Sequence, residues 1–172
     1  MSNARDTFRE NPLIQVLTDR HEWVRLRVLP TLESRQKVVE FLRPRLDGLP
    51  GSLCEALLLA ADELLGNSIE HGCLLNPNQC VEIALVRTRR LVLVHIRDDG
   101  PGFSLSSIGH AAVSNPPDKP LQHTELRSQM GMRPGGFGIM LVKQVADELI
   151  YDEDGNEVLF IKYLDGIEQD ST

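Results

Sequence analysis

Ala61-Asp62-Glu63-Leu64-Leu65-Gly66-Asn67-Ser68-Ile69-Glu70-His71-Gly72 is the stretch on which the reading of this chain turns. It lies in a run, residues 53–69, whose apolar positions recur at helical spacing. Glu63, Asn67 and His71 are each four apart, and such residues sit on neighbouring turns of one helix face. The same helix carries Leu57, Leu58, Leu59, Ala60, Ala61, Leu64 and Leu65, which make it apolar around most of its girth and mark it as a core element. A polar stripe on a core helix must find partners, and a bound ligand with its metal is one kind of partner.

On the N-terminal side, Trp23, Arg25 and Arg27 alternate with Val24, Leu26 and Val28, which predicts a strand over residues 21–29 with one apolar face, closed by Pro30. Thr31 is placed to cap a helix running to about residue 46, with Leu32, Val38, Val39, Phe41, Leu42 and Leu46 inward and Pro44 kinking or ending it early. Ser52 with Glu55 makes a capping-box pattern for the central helix, and Gly72 ends it. Strands are expected over 79–86 and 91–97, joined by a turn whose Arg87, Arg89 and Arg90 read as a solvated basic cluster. Residues 104–133, with Asn115-Pro116-Pro117-Asp118, show little periodicity, and a stretch of that length is expected to be a functional lid or disordered. Residues 138–149 return to helix, with Ile139, Leu141, Val142, Val145, Ala146 and Leu149 inward. Residues 150–151 and 158–163 then form a hairpin over Asp154-Gly155.

This order predicts an α+β fold, a two-layer α/β sandwich with a mostly antiparallel sheet and its helices on one face. The domain is expected over residues 21–165, behind a polar N-terminal extension of residues 1–20 and ahead of a flexible tail, 166–172.

Composition sets the class. A chain of 172 residues, 41% hydrophobic and 25% charged, fits one soluble globular domain. No apolar run approaches the roughly 18 residues of a membrane span, and Met1-Ser2-Asn3-Ala4-Arg5-Asp6 has no apolar export region behind it. The expectation is a cytoplasmic protein with no membrane contact. A net charge of -7 and a pI near 5.2 argue against direct nucleic-acid binding. Cys54, Cys73 and Cys80 lack metal-ligand spacing and read as reduced, partly buried thiols. His71, His95, His110 and His123 lack the short paired spacings of a zinc site. A two-carboxylate glycosidase would leave both glycine clusters described next without a use.

A second cluster follows a strand, Ile96-Arg97-Asp98-Asp99-Gly100-Pro101-Gly102-Phe103. A carboxylate there, beside glycines, can accept a proton from an exocyclic amine, which adenine offers and guanine replaces with a carbonyl. A plain Asp-Gly turn is the other reading of the same residues. The third cluster, Arg133-Pro134-Gly135-Gly136-Phe137-Gly138-Ile139, opens a helix, where glycines and unpaired amides suit a phosphate. It is neither the Walker string, since no lysine follows, nor a dinucleotide fingerprint, since no strand precedes it.

Together the three clusters resemble the ATP-binding superfamily of gyrase, Hsp90, sensor histidine kinases and MutL, with its histidine-kinase-like (Bergerat) fold. Glu63, Asn67 and His71 match its first motif, Asp98, Gly100 and Gly102 the second, and Gly136 and Gly138 the glycine-rich third. The run from Ala61 through Gly72 is most similar to the free-standing serine/threonine kinases that act as bacterial anti-sigma factors. Pro134 departs from that pattern, standing where an additional glycine is common and removing one amide donor.

The resemblance implies ATP with Mg2+. It implies Asn67 as the magnesium ligand, Asp98 on adenine, and Gly136, Phe137 and Gly138 around the phosphates, with Gly100 and Gly102 letting the backbone pass close to the base. Glu63 is then the candidate general base. His71 approaches the phosphates or caps its helix, and Arg133 meets a phosphate or lies on the surface. Asp62, one residue off that face, reads as structural or solvated. The implied partners are a STAS-type anti-sigma antagonist, as phosphate acceptor, and a sigma factor, with a homodimer as an open alternative to the monomer. Two other readings stand beside the kinase: a non-catalytic, ATP-responsive binding module, and a detached histidine kinase catalytic domain without its dimerisation helix.

Overall fold

The computed structural model describes residues 12–102, 129 and 138–167. Arg133, Pro134, Gly136 and Phe137, nearly all of the expected lid, and the ends of the expected extension and tail lie outside the described residues. Among the described residues there are six strands, β1 (Ile14–Arg20), β2 (Trp23–Val28), β3 (Val81–Arg87), β4 (Leu91–Asp98), β5 (Glu148–Tyr151) and β6 (Glu157–Tyr163). The helices are α1 (Leu32–Leu42), α2 (Gly51–Asn67) and α3 (Gly138–Val145).

A two-residue period builds the sheet. Val24, Leu26 and Val28 are buried and Trp23, Arg25 and Arg27 face out; β3 likewise buries Val81, Ile83 and Leu85, and β4 buries Val92, Val94, Ile96 and Asp98. The strands pair antiparallel throughout, in the order β1-β2-β3-β4-β6-β5. Their buried faces share one core with Val38, Phe41 and Leu42 of α1, Leu57, Leu58, Leu64 and Leu65 of α2, and Val142 of α3. Charged pairs such as Arg27–Glu82, at 2.9 Å, occupy the opposite side of the sheet. The fold is therefore the expected α+β two-layer sandwich with helices on one face.

Several local expectations change. Strand β1 lies within the stretch read as an extension. Its register shifts between Val16 and Thr18 and Leu17 is exposed, so no clean alternation announces it. Thr31 does cap α1: its hydroxyl accepts from Ser34 N at 3.1 Å, and Ser34 Oγ accepts from Thr31 N at 3.2 Å. Around Pro44 the chain tightens into the 3-10 turn Arg43–Arg45, so α1 ends at Leu42. The Ser52–Glu55 box does not form. Pro50 precedes α2 without a side-chain cap, and Glu55 instead pairs with Arg43, Nη2 to Oε2 at 3.2 Å.

Helix α3 is shorter than expected, and Leu149 belongs to β5. The cause is Asp147, whose amide donates to Ile161 O at 2.9 Å and whose carboxylate takes Tyr163 N at 2.6 Å and Lys162 at 2.8 Å. Those bonds tie the chain to β6 straight after the helix. Arg87 is not a solvated turn residue either, because its guanidinium donates to the carbonyls of Arg45, at 3.0 Å, and Asp47. Arg90 fits the solvated reading, in an exposed pair with Asp165.

The α-helix of α2 gives way after Asn67 to a π-turn, Ser68–Gly72, in which Cys73 N donates to Ser68 O at 2.7 Å. Leu75 N then donates to Ile69 O at 3.0 Å, a turn one residue wider than the 6→1 bond that commonly closes helices through a left-handed residue. Here Leu74 and Leu75 hold φ of 52° and 56°, conformations that favour glycine, and Leu74 is 70% exposed. Leu74→Gly is expected to raise the unfolding free energy by about 1 kcal/mol, since it relieves the left-handed backbone and gives up little buried surface. Urea denaturation reads this directly; an unchanged or lowered midpoint would show that Leu74 carries no strain.

Candidate functional site

Asp98 is the last residue of β4 and points inward with the core face of that strand, 2% exposed. Its Oδ1 accepts from Gly100 N at 2.9 Å, while its buried Oδ2 has no hydrogen-bond partner among the described residues. Burial pushes its carboxyl above the ordinary carboxylate range, against the Gly100 amide and Ser68 hydroxyl, which pull it down. A buried acceptor with one free oxygen is an unusual thing to leave in a core, and a ligand donor is a natural complement to it. Asn67 lines the same small cavity, with Leu64, Ser68, Asn156 and Val158, and its buried Nδ2 is also without a partner among the described residues. Donor and acceptor together suit a polar planar ligand such as adenine, and a cation would take the other atom of the Asn67 amide, its oxygen.

The π-turn determines what meets Asp98. Being wider than an α-turn, it takes more residues per revolution, so His71 does not stay on the line of Glu63 and Asn67. His71 is exposed and does not line the cavity. The turn instead brings Ser68 and Gly72 to Asp98: a Cβ on Gly72 would overlap the Asp98 carboxylate, and one on Gly100 would run into the Gly72 carbonyl. Gly102, at φ 77°, sits against the Asp154 carbonyl in the β5–β6 turn, and Asn156 Nδ2 donates to Gly100 O at 3.2 Å. The glycines of the second cluster thus serve close backbone approach within the protein. Ser68 and Asn156 were not singled out in the sequence, and Gly72 was read there only as the end of the helix. Glycines flanking a lone polar residue were the available signal for Gly72, and no pattern pointed to Asn156.

One turn earlier on α2, Glu63 lies between two other elements. Its Oε1 is 3.4 Å from Arg35 Nη2 of α1, and its Oε2 lies where a Cβ on Gly138, the first residue of α3, would have to be. Arg35 is held by Asp62 through two bonds, Nε at 2.6 Å and Nη2 at 2.8 Å, and reaches Glu70 at 3.4 Å. Asp62 is therefore structural. Arg35 was missed because an arginine on a helix reads as solvated, whereas here its side chain is only 21% exposed. Gly66, beneath its guanidinium, was the one hint of a close approach.

The structure thus places Glu63, Asn67 and Asp98 along α2 and its facing strand, with Glu63 at the start of α3. Gly138 meets Glu63, and Gly136, Phe137 and Arg133 lie outside the described residues. Cys54, Cys73 and Cys80 are free thiols, and the Cys80 thiol is pushed up to about 11 by burial and by Asp99, which accepts from its Sγ at 3.1 Å. No group of three or more His, Cys, Asp and Glu that could hold a metal ion occurs among the described residues, and His110 and His123 lie outside them.

The serine/threonine-protein kinase BtrW of Bordetella bronchiseptica is 30% identical to the chain over 95 residues, which cover 55% of this chain and 58% of that protein. The chain thus matches somewhat over half the length of that curated relative. A broader match is to the histidine kinase-like ATPase domain, over residues 29–162, from the approach to α1 into β6 and through both ends of the polar face just described. With its buried acceptor, its polar helix face and a match across most of its length, the chain belongs to the histidine kinase-like ATPase domain family, an ATP-binding fold.

Proposed function

We propose that this protein is a cytoplasmic serine/threonine kinase that acts as an anti-sigma factor, using Mg-ATP to phosphorylate a small STAS-type antagonist and holding a sigma factor when that antagonist is absent. The observation that carries the kinase reading is the placement of Glu63. Its carboxylate sits against the first residue of α3, where helix amides suit a phosphate, while the free Asp98 acceptor lies by the π-turn beyond Asn67. The kinship with a protein named as a serine/threonine kinase supports the choice of acceptor, and the antagonist and sigma factor follow from the resemblance of the motif around Glu63 and Asn67. Among the described residues no helix is long and apolar enough to cross a membrane, in keeping with the proposed location.

In this reading Asp98 Oδ2 accepts from the adenine amine and Asn67 gives its amide oxygen to Mg2+. ATP supplies the phosphoryl group, and the cation neutralises its charge. Glu63 orients the incoming hydroxyl and accepts its proton, so the chain's part in the chemistry is positioning and one base. Gly136, Phe137 and Gly138 are assigned to the phosphates and Arg133 to a phosphate or the surface, as the resemblance implies.

The parent protein is expected to bind ATP at least about tenfold more tightly than GTP, because guanine would bring a carbonyl to a buried carboxylate. Asp98→Asn is expected to abolish that preference, and Asn67→Ala to weaken Mg-ATP. Calorimetry with both nucleotides is the measurement; equal affinities in the parent, or variants that bind Mg-ATP like the parent, would remove this site.

Glu63→Gln is expected to lower phosphate transfer to the antagonist by roughly 10²–10⁴-fold, the usual range for a general base, with ATP affinity nearly unchanged. Transfer at the parental rate would dismiss Glu63 as the base. A parent that binds Mg-ATP and its partner yet transfers nothing would favour the non-catalytic module.

A further inference from the structure

The Arg35 guanidinium gathers three carboxylates from one helical stretch, Asp62 and Glu63 of α2 and Glu70 of the π-turn after it. The two bonds to Asp62, at 2.6 and 2.8 Å, are the short ones and fix the plane of the guanidinium. The Nη2 that meets Asp62 also faces Glu63, so the same nitrogen serves both carboxylates. Glu63 is bounded on its other side by Gly138. One of its oxygens faces α1 and the other faces α3, which leaves the carboxylate little freedom to rotate.

Gly66 completes the arrangement. Glycine inside a helix is less favourable than alanine, yet a Cβ at Gly66 would overlap the Arg35 guanidinium. The missing side chain is what lets Arg35 lie flat across α2.

We propose that Arg35 is the positioning residue of Glu63: anchored edge-on by Asp62 and seated over Gly66, it holds the Glu63 carboxylate toward the first residue of α3. This rests on Glu63 being the base. Arg35 acts on the carboxylate, which alone meets the reacting hydroxyl. Lysine keeps the charge but cannot bond both Asp62 oxygens while facing Glu63, so the geometry belongs to arginine.

The test is a double-mutant cycle on the full chain, with phosphate release from Mg-ATP in water as the probe reaction. Arg35→Lys is expected to lower kcat by roughly 10- to 100-fold, the penalty of a displaced reacting group, while KM for ATP moves less than about twofold. In a Glu63→Gln background the same substitution is expected to change kcat by less than about twofold, since the carboxylate it orients is gone. A merely structural Arg35 would lower both backgrounds alike, and that result overturns the proposal. Gly66→Ala supplies the second arm: a melting temperature at or above the parent's with a loss of kcat like that of Arg35→Lys supports it, and a parental kcat overturns it. An active parent that is impaired by Glu63→Gln but indifferent to Arg35→Lys overturns the role of Arg35 alone. A parent that binds Mg-ATP and releases no phosphate in water overturns this inference, whereas the kinase reading falls only if that parent also transfers none to its bound partner.

Discussion

A carboxylate buried where β4 ends is the constraint from which the site follows. Asp98 is 2% exposed and has one oxygen bonded to its own turn, through Gly100 N, and one without a partner among the described residues. Leaving a buried acceptor unsatisfied costs about 1–3 kcal/mol, so the surroundings must hold it by force of packing. They do so by close approach. Gly72 of the π-turn lies against the carboxylate, Gly100 lies against the Gly72 carbonyl, and Gly102 lies against Asp154. A side chain at any of these positions would drive the π-turn, the end of β4 and the β5–β6 turn apart. β4 is also a central strand, paired along its length to β3 on one side and β6 on the other, which leaves Asp98 no route to solvent by sliding.

What was legible in the sequence was what periodicity controls. β2, β3 and β4 alternate cleanly because one face meets the helices, and α2 is apolar because it crosses that core. Glu63 and Asn67 stood out as polar residues on an apolar helix, and Asp98 as a carboxylate at a strand end beside glycines. β1 was hidden by its register shift and its exposed Leu17, since a bulged edge strand has no single period. The end of α3 was hidden because Val145, Ala146 and Leu149 continue a helical pattern, and only the tertiary bonds of Asp147 to β6 decide otherwise. The π-turn left no trace either. One residue of extra winding is set by how Ser68 and Gly72 meet Asp98, not by the propensity of Ser68–Gly72 itself. Arg35 was invisible for a related reason: its partner Asp62 is 27 residues away, on another helix.

The two carboxylates at opposite ends of the α2 face have been given opposite environments, and the difference suits different tasks. Glu63 has a cation beside it, Arg35 Nη2 at 3.4 Å, which fixes its direction. Among the described residues Asp98 has no cation beside it; burial and the nearby Asp99 and Asp152 work against its charge, and the Gly100 amide and Ser68 hydroxyl favour it. A donor arriving at the free Oδ2 adds a third hydrogen bond to the charged form and removes water from it at no further cost, since the carboxylate is already dry. Ionisation of Asp98 and capture of an amine donor therefore support each other, whereas a ligand presenting a carbonyl meets the full penalty of two facing acceptors. Selectivity for the base follows from having left that one oxygen unsatisfied in the fold.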